Sequence, residues 1–267
     1  MKKNLLFLFL WSIPILYFAQ QEDAWVYLAD KQNVSSSLLD PITILTQKAI
    51  DRKIKHGISI DERDVPVNEN YISQVKTQTG ISVLAKSKWF NAVHVRGSEI
   101  NIKALTGLSF VTSIDFADKS LNLKQVQQKK ESKLETAFTS FTYGNALNQI
   151  QMIKGDQLHL ANYTGNGMTI AVLDAGFTNV HLMASFKRLR DASHILDDYD
   201  FVNRGDDVYT NTLSSHGTWV LSTMAGYVEN DYVGSAPDAS YYLFITEDDA
   251  SENPVEESYW VEAVERA

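Results

Sequence analysis

The sharpest change of pattern along the chain falls at residues 168–176. Met168-Thr169-Ile170-Ala171-Val172-Leu173 is apolar and rich in β-branched residues, does not alternate, and stops at Asp174-Ala175-Gly176. Such a run reads as a strand buried on both faces, as in a parallel sheet. A second run of this kind, Ser240 to Thr246, follows the turn at Ala236-Pro237. Between the two, His216-Gly217-Thr218 opens a helix, with Ser214 or Ser215 as N-cap and Gly226 as the stop. Asn253-Pro254-Val255-Glu256 then combines a cap, an N1 proline and a capping-box acid. The helix it starts runs through Tyr259, Trp260, Val261 and Val264 to Ala267. Buried strands separated by helices predict an α/β domain over 145–267 with a doubly wound, mostly parallel sheet. Leu147, Ile150, Ile153 and Leu158 form an apolar stripe that leads into it.

Residues 20–118 have shorter periods and mixed elements. Trp25 to Leu28 reads as a strand, and a helix starts at Asp40-Pro41 and ends at Gly57. A second helix spans about Glu69 to Thr79. Ile81 to Lys86 and Trp89 to Val95 read as strands, Glu99 to Thr106 as a short helix, and Phe110 to Phe116 as a last strand. The order β-α-α-β-β-α-β is close to the split βαβ, ferredoxin-like arrangement of a small α+β domain. No convergent catalytic set stands out in it. His56 reads as a helix-end residue and His94 as a strand residue.

Two stretches lie outside both domains. Lys2 and Lys3 precede an apolar run from Leu5 to Phe18 that is short for a membrane span, so residues 1–19 read as a signal peptide ending at Ala19. The alternative is an uncleaved anchor; cleavage leaves no stable membrane association and a secreted, extracellular protein. Residues 119–144, with Gln127-Gln128-Lys129-Lys130 near their centre, form a polar linker of the kind proteases cut.

Composition narrows the chemistry. The 267 residues contain no cysteine, which excludes a thiol nucleophile, disulfides and thiolate metal sites within the chain. The net charge of −9 argues against nucleic acid as a partner. The charge is concentrated: residues 145–267 carry 6 basic and 19 acidic side chains, whereas residues 1–144 carry 18 basic and 14 acidic.

Asp174 sits where a parallel strand ends, the place at which such sheets carry reactive groups. His216 sits at a helix start. A carboxylate that orients an imidazole, which in turn takes a proton from a nucleophile, is a general-base arrangement. Val172-Leu173-Asp174-Ala175-Gly176-Phe177, then His216-Gly217-Thr218, then Gly234-Ser235-Ala236-Pro237-Asp238-Ala239 resemble the motifs of the subtilisin-like serine peptidases. The order, Asp before His with Ser last, is that of subtilisin. The resemblance runs from about Gln149 to the end. Leu221 departs from it, standing where the family usually has a small residue.

The resemblance implies Asp174 and His216 as two members of a catalytic triad, a peptide or protein substrate, and an inhibitory propeptide formed by residues 20–118. It places the oxyanion-hole Asn and the nucleophilic Ser after the last helix, so the natural chain is expected to continue past Ala267. Ser214, Ser215, Ser222 and Ser251 lack the small-residue turn into a helix that the family uses for its nucleophile. A pseudoenzyme that binds peptides, or serves as a surface scaffold, is the alternative from another class. A nucleotide-binding protein of doubly wound fold would need a Gly-rich phosphate loop, which the chain lacks.

The sequence identifies no cofactor with certainty; calcium, bound by many subtilisin-like enzymes, is the candidate. Asp197, Asp198 and Asp200, then Asp206 and Asp207, then Glu247, Asp248 and Asp249 form acidic clusters without a recognised ligand spacing, and read as solvated surface. By the resemblance, residues 251–259 fall near the strand that pairs with substrate. There Glu252, Glu256 and Glu257 either favour basic substrates or only complement the helix dipole.

Overall fold

The computed structural model describes residues 20–122, 141–210, 214–250 and 252–267. The expected signal peptide and most of the expected linker lie outside them.

In the N-terminal domain, β1 (Gln21–Leu28) is followed by α1 (Val34–Leu39), α2 (Gln47–Lys55) and α3 (Glu69–Lys76). The hairpin of β2 (Ile81–Ser87) and β3 (Ala92–Ser98), then α4 (Glu99–Ala104) and β4 (Val111–Phe116) complete it. The strands form one antiparallel sheet in the order β2-β3-β1-β4. On one face, Ala24, Val26, Val93 and Val95 pack against Ile72 and Val75 of α3 and Ile102 of α4. Side chains alternate across a strand, yet β3 is also buried on its other face, at His94.

Two expected boundaries move. Asp40-Pro41 starts only a 3₁₀ turn, Pro41–Thr43, and the helix proper begins at Gln47, where the Thr46 hydroxyl accepts from the Ala49 N–H. A side chain that meets an orphan N–H fixes a helix start better than a proline alone. The strand expected from Trp89 begins instead at Ala92, because Asn91 takes a left-handed φ of 49° and closes the hairpin turn.

The C-terminal part opens with α5 (Leu147–Met152) and α6 (Gly155–Leu160). Of the apolar stripe expected there, only Ile150 is buried; Leu147, Ile153 and Leu158 are exposed. Then come β5 (Thr169–Asp174), α7 (Lys187–Asp191), β6 (Ile195–Asp200), α8 (His216–Ala225), the short pair β7 (Tyr227–Val228) and β8 (Tyr232–Val233), β9 (Ser240–Ile245) and α9 (Val255–Arg266). β5, β9 and β6 form a parallel sheet with β9 in the middle.

Both faces of this sheet are covered, which is why β5 and β9 read as continuous apolar runs; the edge strand β6, Ile-Leu-Asp-Asp-Tyr-Asp, carries no such run and was not expected from the sequence. Tyr241, Leu243 and Ile245 of β9 share a core with Val172 and with Leu221 and Ala225 of α8. Phe244 packs on the opposite side with Phe201 and Ala263 of α9. Leu221, the departure from the family pattern, is fully buried in the α8 core.

α9 also carries the N-terminal domain. Ser258 Oγ lies 2.6 Å from His94 Nδ1. Glu262 accepts from the Lys86 N–H, and Glu265 accepts from the Ser87 hydroxyl and the Lys88 and Trp89 N–H groups. Among the described residues no helix is long and apolar enough to cross a membrane.

Candidate active site

Asp174 is the last residue of β5, and its carbonyl accepts from the Thr246 N–H at the end of the neighbouring β9. The two strand ends therefore hold it from the backbone. The residue is 5% exposed, and its carboxylate Oδ1 accepts from the Ala175 N–H at 2.8 Å. A buried carboxylate needs such partners, because unpaired it is too costly to desolvate.

His216 is the first residue of α8. Its Nδ1 lies 2.9 Å from Asp174 Oδ1 and 3.0 Å from Oδ2. A carboxylate only accepts, so Nδ1 carries the proton and donates, and in the neutral imidazole Nε2 keeps its lone pair. The imidazole is 62% exposed, open to a reacting group on that side. The hydrogen bond to Asp174 raises the His216 pKa above its ordinary value. The charge of Asp174 adds to this, and Glu247 and Asp249 add further.

The residues after His216 explain the closeness of helix and strand. A Cβ on Gly217 would stand 2.6 Å from the Gly176 carbonyl oxygen and 3.0 Å from the Asp174 Cβ. Only glycine lets the first turn of α8 lie against the end of β5. Thr218 then donates to the Thr178 carbonyl, and Thr178 donates to the Ser214 carbonyl, so α8 is tied to the loop that follows Asp174.

The expected caps work differently. The Ser214 hydroxyl accepts from the His216 N–H at 3.4 Å, and Ser215 occupies the N-cap position with no side-chain cap bond. Gly226 ends α8 in an extended conformation, with φ −62° and ψ 134°. The third motif closes the same helix: the Ser235 and Ala236 N–H groups donate to the Thr223 and Met224 carbonyls. Those are last-turn carbonyls that have no partner within a helix.

The acids expected as solvated surface are not all so: Asp197, Asp198 and Asp200 belong to β6, and Asp200 is buried, at 2% exposed, because backbone and side-chain donors hold its carboxylate. Asp200 accepts from the N–H groups of Val202 and Asn203, Asp207 from those of Tyr209 and Thr210, Asp198 from the Tyr209 hydroxyl, and Asp197 from Arg266. Among the described residues no group of three His, Asp or Glu is arranged to hold a metal ion. The sequence reading places Ser222 outside the site; its hydroxyl donates to the Trp219 carbonyl, and Ser251 lies outside the described residues.

Sequence reasoning missed two features. The first is the buried set Asp23, His94 and Ser258, with Asp23 Oδ1 2.8 Å from His94 Nε2 and Arg96 paired to the same carboxylate. His94 is 2% exposed and Ser258 fully buried, so no substrate reaches them and the set serves the contact between domains. The second is a cavity beside the site. Glu247 to Ala250, Glu252, Glu256, Glu257 and Trp260 line it together with Ala175 and Thr246. Its acids are close together along the chain, so local acidity was the signal available.

Residues 23–135 match a family described as the peptidase S8 propeptide domain of Bacteroidota. No curated protein matches the chain. The structure is similar to that of an epidermin leader peptide processing serine protease from Staphylococcus aureus, with a TM-score of 0.47 and 13% identity over 90% of this chain. The chain covers 47% of that protein. The family match covers the N-terminal domain and runs on into the stretch expected as linker, and it contains neither Asp174 nor His216. The resemblance to subtilisin-like peptidases thus has support from a part of the chain outside the motifs that carry it.

Proposed function

We propose that the chain belongs to a secreted serine endopeptidase made as a zymogen. In this reading residues 20–118 dock on the catalytic part and inhibit it until the linker at 119–144 is cut. The observation that carries the proposal is the placement of Asp174 and His216. The buried carboxylate holds the imidazole by Nδ1–H, and Nε2 is left to act as base. His216 takes the proton of the attacking serine and then gives it to the leaving amine, while Asp174 stabilises the imidazolium in between. On the resemblance, that serine and the oxyanion donors are carried by chain after α9.

Asp174→Asn tests this in the full-length enzyme. The amide keeps the size but donates towards the imidazole and favours the wrong tautomer. The same change in the triad of a chymotrypsin-type protease lowers kcat by about 10⁴, and that order is expected here, about 5 kcal/mol of barrier. With the N-terminal domain supplied separately and a normal melting curve, retention of most of the activity sinks the mechanism. Failure of the wild-type enzyme to cleave any peptide favours a non-catalytic peptide-binding module instead.

A further inference from the structure

The cavity beside the site opens just beyond the ends of β5 and β9. It holds about 640 Å³, and Ala175, next to Asp174, forms part of its wall. Among the described residues six carboxylates line it, and no lysine or arginine does. Burial raises the Glu247 pKa, and the charges of Asp174 and Glu256 raise it further, so negative charge is crowded there without a balancing cation on the wall. Trp260 supplies an aromatic surface that is 53% exposed.

A second, independent observation concerns Thr246. It lines the cavity, is 1% exposed, and among the described residues its hydroxyl oxygen has no hydrogen-bond partner. Buried hydroxyls are nearly always paired, so one left unpaired at a cavity wall points to a ligand that pairs with it. Its backbone N–H is bonded to the Asp174 carbonyl, which fixes Thr246 beside Asp174.

We propose that this cavity receives the lysine or arginine side chain of a peptide substrate. A long aliphatic stem covers Trp260, the cationic head meets the carboxylates and the ring face, and a head-group N–H donates to Thr246 Oγ1. A neutral polar side chain would satisfy Thr246 but leave the carboxylates uncompensated. An apolar one would do neither. The assignment deepens the endopeptidase reading and rests on it for the word substrate, but the cavity's preference is measurable without turnover.

The test therefore has two arms. In the first, the purified protein is titrated with a short acetylated peptide containing one lysine and with the same peptide containing norleucine, following the Trp260 indole signal by NMR. The lysine peptide is expected to bind about tenfold more tightly at low salt, as one cation–π contact plus partly exposed ion pairs supply. The difference should collapse at about 1 M salt, in Glu252→Gln/Glu257→Gln, and in part in Thr246→Val. In the second, kcat/KM of the full-length enzyme is compared across peptides with Lys, Arg, Gln or norleucine at each position before the cut. One position should favour Lys and Arg. Cleavage with no preference for charge overturns the proposal and leaves the endopeptidase reading standing. Selective binding without any cleavage does the reverse. Calcium chloride that saturates the Trp260 signal while the two peptides bind equally would identify a metal site and also overturn the proposal.

Discussion

Gly217 is where the coupling of helix α8 to strand β5 is most directly tested. A Cβ there stands 2.6 Å from the Gly176 carbonyl oxygen, 2.9 Å from Phe177 Cε1 and 3.0 Å from Asp174 Cβ. The first is backbone and the third is anchored to the end of β5, so neither gives way by rotating a side chain. Ordinary contact begins near 3.4 Å. Gly217→Ala therefore obliges the first turn of α8 to withdraw by about 0.8 Å, since packed interiors transmit such strain. Carried to the imidazole, that takes the Nδ1–Oδ1 distance from 2.9 Å to roughly 3.7 Å, beyond a hydrogen bond. Overpacking of this kind costs about 1–3 kcal/mol, several degrees of Tm for a chain of this size. The hydrogen bond is the largest cause of the raised His216 pKa, so the imidazole should titrate closer to its ordinary 6.5. Turnover should fall about 10²-fold, as a misplacement near 1 Å can cause. NMR titration of the His216 ring and thermal melting give the two readouts. Leu221→Ala is the control: it lies in the buried core of the same helix and should lower Tm while leaving His216 unchanged. If Gly217→Ala melts like the wild type and His216 titrates as before, the close approach is not what holds the pair together.

Named contacts carry two further predictions. Folding raises the His216 pKa, so the stability from its pairing with Asp174 is fully present below the ordinary value of 6.5 and is lost as pH rises through the folded-state value. Melting temperatures scanned from about pH 5 to about pH 9 should show that decline, and Asp174→Asn should remove this component of it. Glu265→Ala removes one carboxylate that accepts from Ser87, Lys88 and Trp89. Inhibition by the N-terminal domain added in trans should weaken about 10- to 100-fold, given what hydrogen bonds to a charged group contribute, and an unchanged inhibition constant would show that α9 is not the docking face.

The parts of the fold legible in the sequence were those where one local rule dominates. β5 and β9 are buried on both faces, so their apolar runs had no competing pattern. The positions of Asp174 and His216 were legible because Asp174 closes a strand, His216 opens a helix, and each has a short motif around it. The start of α2 was misread because Asp40-Pro41 carries a helix-start signal, whereas the local hydrogen bond that fixes the helix is made by Thr46. The alternation from Trp89 to Val95 suggested a strand, but Asn91 turns the chain within it. Asp23, His94 and Ser258 were out of reach for another reason. His94 lies 71 positions from Asp23 and 164 from Ser258 along the chain, and no local periodicity reports a contact between two sheets through a shared helix. The acidic loop after β9 was visible as composition, but its enclosure with Trp260 and Thr246 depends on how α9 packs.

That shared helix also indicates which side of the molecule is built to part. Ser258, Glu262 and Glu265 lie three and four residues apart and form one stripe of α9; Tyr259, Ala263 and Arg266 form another. The second stripe is bound to the parallel sheet by apolar burial, with Ala263 against Phe244 and Phe201, and by Arg266 lying over the Tyr199 ring. Breaking it would expose fully buried aromatic surface at about 25 cal/mol per Å². The first stripe meets the N-terminal domain through hydrogen bonds and carboxylates. Glu262 and Glu265 lose little when they return to water, because a solvated acid needs no partner. His94 and Asp23 are 2% and 9% exposed in the contact, and their polar atoms are likewise rehydrated once it opens. Interfaces that separate are more polar than permanent ones. On the proposed reading, in which the N-terminal domain inhibits and then leaves the catalytic part, this asymmetry is what permits departure without an exposed apolar scar on α9.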